Sequence, residues 1–137
     1  MSHPELVTKL NEQLNREIST FLRYMRQGAA IKGAENDAIR SMYLAEVTDE
    51  VGHAQYLTNQ IVMLGGSPDL APDLAPPPTS VHDMLATDIA AEAKDVKNYV
   101  ELARMAEAAG LFALKQTMEE QAADEDNHRQ EMTRLLG

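Results

Sequence analysis

Two stretches of the chain, "DEVGHAQY" at 49–56 and "DEDNHRQE" at 124–131, share the spacing Asp-Glu-x-x-His. On a helix, residues three apart stack on one face. Glu50 with His53, and Glu125 with His128, can therefore each turn a carboxylate and an imidazole toward one metal ion. One such pair is weak evidence, because 13 Glu and 4 His in 137 positions produce roughly 0.4 of them by chance. The repetition carries more weight. Both members shift by the same 75 positions, and that shift also maps Glu17 onto Glu92, Tyr24 onto Tyr99, Asp49 onto Asp124 and Leu14 onto Ile89. The chain is two equivalent halves, each with one lone Glu and one Glu-x-x-His.

These residues need helices to carry them, and the apolar spacing supplies four. Val7, Leu10, Leu14, Ile18, Phe21, Met25 and Ile31 recur at helical intervals, behind a Ser2-x-x-Glu5 start with Pro4 in the first turn. Gly33 with "AEND" breaks the pattern. A second stripe runs from Ile39 through Met42, Ala54, Leu57 and Ile61 to Leu64 and stops at Gly65-Gly66. Ser80 with Asp83 opens a third, through Leu85, Ile89, Val96 and Leu102 to Gly110. A fourth runs through Leu114, Met118, Ala122, Met132 and Leu135. Glu17, Glu50, His53, Glu92, Glu125 and His128 lie in line with these stripes near mid-helix, so all six should point into the bundle at one level.

Between the second and third helices lies "GGSPDLAPDLAPPPTS", with all but one of the six prolines, which cannot be helix. A helix of about 28 residues is roughly 42 Å long at 1.5 Å per residue. The extended linker reaches roughly 50 Å at about 3.1 Å per residue. It can run the length of the bundle, which predicts an all-α four-helix bundle with a long crossover between helices 2 and 3 and those two helices parallel. A single domain over 1–137 is expected.

Burying an uncompensated carboxylate costs several kcal/mol, and four approach the roughly 5–15 kcal/mol net stability of a domain. Two divalent cations would neutralise them; four carboxylates sharing protons is the metal-free alternative. The net charge of −10 argues against nucleic acid and anionic membrane as partners. Absence of Cys excludes disulfides, thiolate zinc and iron–sulfur clusters. With no membrane-span-length apolar run and no signal-peptide core, a cytoplasmic protein is expected.

A Glu from each of two helices plus Glu-x-x-His from each of the other two resembles the di-iron carboxylate pattern of ferritin-like proteins. The likeness is greatest to bacterioferritins, over "LNEQLNREIS", "DEVGHAQYL", "TDIAAEAK" and "DEDNH". The resemblance implies two iron ions per chain, with Glu50 and Glu125 bridging, Glu17 and Glu92 terminal, and one imidazole of His53 and His128 on each. Such ligands suit iron or manganese better than copper or structural zinc. Tyr24 matches a tyrosine beside that centre that is a candidate electron donor; a core aromatic bonded to a nearby carboxylate is the equal alternative. Two departures stand out. Val51 takes the place of the haem-ligating Met, so no haem is expected by that route. The family's short fifth helix has no counterpart after "TRLLG", so a dimer or smaller shell competes with a 24-subunit cage, and a homo-oligomer is expected in either case.

The resemblance implies a ferroxidase that oxidises Fe(II) with oxygen or peroxide, for iron storage or detoxification. A rubrerythrin-like peroxidase and a non-catalytic bundle binding Mn, Zn or Fe are the rival readings. His3 and His82 read as surface residues. Glu46, one turn before Glu50, reads as an exposed edge position in preference to an auxiliary iron site.

Overall fold

The computed structural model describes residues 2–137. Four helices account for most of them: α1 (Pro4–Ala30), α2 (Asp37–Met63), α3 (Val81–Ala108) and α4 (Phe112–Leu136), with a 3-10 turn at Ala34–Asn36. No strand occurs among the described residues.

Among the four helices, only α3 starts with a side-chain cap. At α3 the Ser80 side chain accepts a hydrogen bond from the Asp83 backbone N–H at 3.1 Å, the expected cap. At α1 the Ser2 cap does not form: His3 holds the N-cap position without a side-chain bond, and Pro4 opens the first turn. Proline fixes φ there without needing a cap, because its missing N–H would have been unpaired anyway. The α1–α2 turn depends on Gly33, whose φ of 94° lies in the left-handed region and whose absent Cβ would sit 2.5 Å from a Glu35 carboxylate oxygen.

Helix directions follow from the pairings. On the α1–α3 contact, Gln13 meets Asp95 and Asn98, whereas Arg23 and Gln27 meet Asp88, so these helices are antiparallel. Since α1 is also antiparallel to α2 in their hairpin, α2 and α3 run parallel. The linker makes this crossover by lying along α1. Asn11, Asn15 and Ser19, one turn apart, form rungs beneath it: Asn11 donates to the Ser67 carbonyl (3.1 Å), Asn15 to the Asp69 carbonyl (2.6 Å), and Ser19 Oγ accepts from the Asp73 N–H (2.8 Å). Linker backbone groups that no helix satisfies are thereby paired.

The core is divided in two. Leu6, Leu10, Leu14, Leu57, Ile61, Leu102, Ala106, Leu114 and Met118 close one end. Tyr24, Ile31, Tyr43, Met84, Leu85 and Met132 close the other. Each fully buried large apolar side chain contributes about 1.5–3 kcal/mol, which supports a polar layer held between the two plugs.

Candidate metal centre

Between the apolar plugs, the six side chains singled out by the 75-residue repeat come together. Glu17, Glu50, His53 and Glu125 each offer one atom to a cluster in which those atoms lie within 4.8 Å of one another, and Glu50, Glu92, Glu125 and His128 form a second. Glu50 and Glu125 belong to both. Glu17, Glu50, Glu92 and Glu125 are buried, three of them completely, and the two imidazoles are nearly so.

Each half holds its residues in the same way. The Tyr99 hydroxyl donates to Glu17 Oε1 at 2.7 Å, and the Tyr24 hydroxyl donates to Glu92 Oε1 at 2.6 Å. Gln13 Nε2 adds a second bond to Glu17 Oε1 at 2.9 Å. The outer oxygen of each lone Glu is thus pinned and the inner one left free. His53 Nε2 lies 3.0 Å from Asp124 Oδ2 across the bundle, and His128 Nε2 lies 3.2 Å from Asp49 Oδ2. A proton on Nε2 donated to these carboxylates leaves the Nδ1 lone pair facing inward, the arrangement that orients a metal-binding histidine.

Inside this frame, donors run out. Glu17 Oε2, both oxygens of Glu50, both of Glu125, Glu92 Oε2 and the Nδ1 atoms of His53 and His128 are buried without a hydrogen-bond partner. His53 Nδ1 lies 3.1 Å from Glu125 Oε1 and His128 Nδ1 3.2 Å from Glu50 Oε1, close enough for charge interaction but without hydrogen-bond geometry. Native interiors rarely leave so many polar atoms unpaired in one place.

Protonation reflects the same crowding. Burial, then the charge of Glu17, raises Glu50 well above the usual carboxylate range; burial with Glu17 nearby raises Glu125 as well. Glu17 moves down despite its burial, because Glu50, His53 and Tyr99 supply the stabilising contacts. Burial would lower both histidines, but Glu125 and Glu17 push His53 up to about 11, and Glu92 and Glu46 push His128 up to about 9. In the metal-free layer, burial and like charge thus favour the neutral form of Glu50 and Glu125, while the surrounding carboxylates favour proton uptake by the two imidazoles.

Three residues of this layer escaped the sequence reading. Asp49 and Asp124 were visible as repeated neighbours of Glu50 and Glu125, but helix periodicity does not show that each reaches the opposite histidine. Tyr99 was visible as the mate of Tyr24. Glu46 is a correction: it is buried, 5% exposed, not at an exposed edge, with Oε2 unpaired. Burial, opposed by His128 and reinforced by Glu92, raises it to about 8. It lines a surface cavity of about 450 Å³ with Asp49, His128 and Glu131, which opens the His128 side of the layer to solvent. Another hollow, about 390 Å³, lies between the linker and α1 and contains none of the six. His82 is exposed, and His3 is half-buried at the start of α1; neither joins a cluster. Val51 faces outward, 44% exposed.

Known proteins share this architecture. The chain is similar to a ferritin-like, diiron-carboxylate protein from Bacillus anthracis, with 33% identity, a TM-score of 0.94 and full coverage of both chains. It resembles the bacterioferritin-related dodecameric thioferritin of Bacteroides fragilis in fold, at 21% identity and a TM-score of 0.84, over 97% of this chain and 84% of that one. Among curated relatives it is 29% identical over 90 residues to the bacterial ferritin of Pseudomonas aeruginosa, a match covering 66% of this chain and 58% of that protein. Residues 7–137 match the ferritin family in its ferritin-like domain, and the chain belongs to that family.

Proposed function

We propose that this protein is a ferroxidase: it takes two Fe(II) ions per chain as substrate and oxidises them to Fe(III) with dioxygen or peroxide, for iron storage or detoxification. The observation that carries this reading is the set of eight unpaired buried atoms on Glu17, Glu50, His53, Glu92, Glu125 and His128. Carboxylates and imidazoles at those positions fit Fe(II), with Mn(II) the next best fit. Glu17 and His53 hold one ion, Glu92 and His128 the other, and Glu50 and Glu125, common to both clusters, bridge.

Two Fe(II) supply two electrons together, enough to reduce dioxygen to peroxide or peroxide to water. The chain's own residues do the rest. Asp124 and Asp49 fix the imidazoles, Tyr99 and Tyr24 fix the terminal carboxylates, and the apolar plugs close the layer at its two ends. Binding of Fe(II) would compete with protons at Glu50, Glu125, His53 and His128, so metal uptake is coupled to proton release. The rise of net positive charge on going from Fe(II) to Fe(III) is met by carboxylates already in place. Tyr24, hydrogen-bonded to Glu92, is the candidate electron donor.

The assembly we propose is a cytoplasmic homo-oligomer of a single ferritin-like domain spanning residues 1–137, with no haem because Val51 offers no ligand atom. Oxygen uptake with Fe(II) tests the reading: wild type consumes about one O₂ per two Fe(II) when peroxide is the product. Glu50→Ala, which removes a residue common to both clusters, should slow Fe(II) oxidation by more than roughly tenfold. An unchanged rate in that variant would reject the site.

A further inference from the structure

The two halves match around the centre and then diverge. A shift of 75 residues carries Tyr24 to Tyr99 and Glu92 back to Glu17, but it carries Tyr43 to Met118 and Gln13 to Asp88. On the Tyr99 side, Gln13 donates to the terminal Glu17 and the polar chain ends in the Asp95 contact. On the Tyr24 side, a second phenol follows. The Tyr24 and Tyr43 rings are edge-on with centroids 5.0 Å apart, and both are completely buried. The Tyr43 hydroxyl donates to Asp88 Oδ2 at 2.7 Å. Asp88 is itself completely buried, held by Arg23 Nε at 2.8 Å and Gln27 Nε2 at 2.8 Å.

Each of these two phenols therefore has a carboxylate at hydrogen-bond distance, and the rings are in contact. A phenol loses an electron readily only if its proton leaves with it, and in a dry interior the acceptor must already be in place. Both phenols meet that requirement. Met118, in the other half, cannot.

We propose that Tyr43 and Asp88 form the outer station of a proton-coupled electron relay, on which an oxidising equivalent that reaches Tyr24 moves one ring further from the metal layer. The inference rests on the ferroxidase reading for its oxidant. Where a single Fe(II) gives one electron to hydrogen peroxide, whether added or formed from dioxygen, the O–O bond breaks to hydroxide and a hydroxyl-radical-level one-electron oxidant. That oxidant becomes hydroxide when it takes the electron from Tyr24. The first step takes one electron from Tyr24 and passes its hydroxyl proton to Glu92. In the second, Tyr43 gives an electron to the Tyr24 radical and its proton to Asp88, while Glu92 returns its proton to Tyr24. The result is Tyr24–OH, a Glu92 carboxylate, a Tyr43 radical and protonated Asp88. No atom or electron is left over. Asp88 is the positioning partner and proton acceptor.

The test is rapid-freeze EPR of Fe(II)-loaded full-length protein mixed with dioxygen or hydrogen peroxide, with 3-fluorotyrosine placed at position 43. This replacement preserves ring and hydroxyl, and a ¹⁹F splitting appears in the radical spectrum only if the radical resides there. The expected result is an early unsplit signal from Tyr24 giving way to a ¹⁹F-split one. In Tyr43→Phe the later signal should be lost and the early one persist, with Co(II) stoichiometry unchanged. Tyr24→Phe should abolish the split signal in the labelled protein. A protein radical without ¹⁹F splitting, or no radical while Fe(II) oxidation proceeds, would overturn the relay and leave the ferroxidase reading intact. Failure of wild type to oxidise Fe(II) would overturn both.

Discussion

Two sets of buried carboxylates lie on neighbouring turns of the bundle and are treated in opposite ways. Asp88 receives hydrogen bonds from Arg23, Gln27 and Tyr43, and Asp95 from Arg16 at 2.6 Å and Gln13 at 3.1 Å. Both oxygens of Asp88 are paired, and Asp95 Oδ1 accepts two donors. Glu50 and Glu125, as deeply buried, receive none at all. A carboxylate that holds helices together brings its donors with it. One that waits for a cation is kept without them, since a donor would compete for the same lone pairs. The sequences agree: Arg16 and Arg23 lie one heptad apart on α1, as do Asp95 and Asp88 on α3. Among the described residues, by contrast, the carboxylates of the centre form ion pairs only with His53 and His128 and with no Lys or Arg.

The sharpest way to break this contrast is to delete one carboxylate from each set in metal-free protein. Asp88→Ala strands the half-buried Arg23 and leaves the Tyr43 and Gln27 donors unpaired. Removing one partner of a buried ion pair costs about 3–5 kcal/mol, so thermal melting should fall by well over ten degrees or folding should fail. Glu50→Gln should leave the melting temperature unchanged or higher. Burial and the charge of Glu17 raise Glu50 well above the usual carboxylate range, which favours its neutral form, and the amide resembles that form in shape. Equal losses in the two variants would erase the distinction.

Next in size is the pH dependence of the metal-free protein. The folded-state values of His53 (about 11), His128 (about 9) and Glu46 (about 8) are all raised, and those of Glu50 and Glu125 are raised too. For the histidines, stability is fully present below the unfolded value and is lost as pH rises through the folded one. The raised carboxyls act with the same sign, because the folded chain holds protons that the unfolded chain has released. Asp95, pushed by burial and Glu17 to about 7 against the pull of Arg16, adds to it. The lowered Glu17 works in the opposite direction only below the ordinary carboxylate range. Urea unfolding with chelator should therefore show stability falling steadily from about pH 6 to pH 9. Bound metal should flatten that slope, since it has displaced the protons at the centre. A metal-free protein that gained stability across this range would contradict the protonation pattern.

How much of this was legible in the chain depends on the range of the interaction. Helix spans, the Ser80 cap and the inward set of six follow from local spacing, because period 3.6 and the 75-residue shift are properties of the sequence itself. The crossover was legible from length alone. Contacts between helices were not. That Asp49 reaches His128, or that Arg23 and Tyr43 converge on Asp88, depends on rotation and stagger, which no single helix encodes. Glu46 was misplaced for the same reason: on an isolated α2 it borders the apolar stripe, and packing of α3 and α4 decides which side of the border is buried. Asn11, Asn15 and Ser19 read as ordinary polar residues on α1 until the linker is laid on them.

Those rungs give the smallest expected effect. Their hydrogen bonds are exposed, unlike either buried set, and Asn15→Ala should cost only about 0.5–1.5 kcal/mol for each bond lost. That is a fall of a few degrees in melting temperature with metal binding unaltered. A loss as large as that for Asp88→Ala would mean that the linker, and not the buried ion pairs, holds α1 against α3.

Anaerobic titration of the apo protein with Fe(II), followed by calorimetry, tests the central claim most directly. Two clusters sharing Glu50 and Glu125 predict saturation at about two Fe(II) per chain with proton release, and loss of both ions together in Glu50→Ala. Saturation at one ion or none, or a Glu50→Ala variant that still binds two, would contradict it.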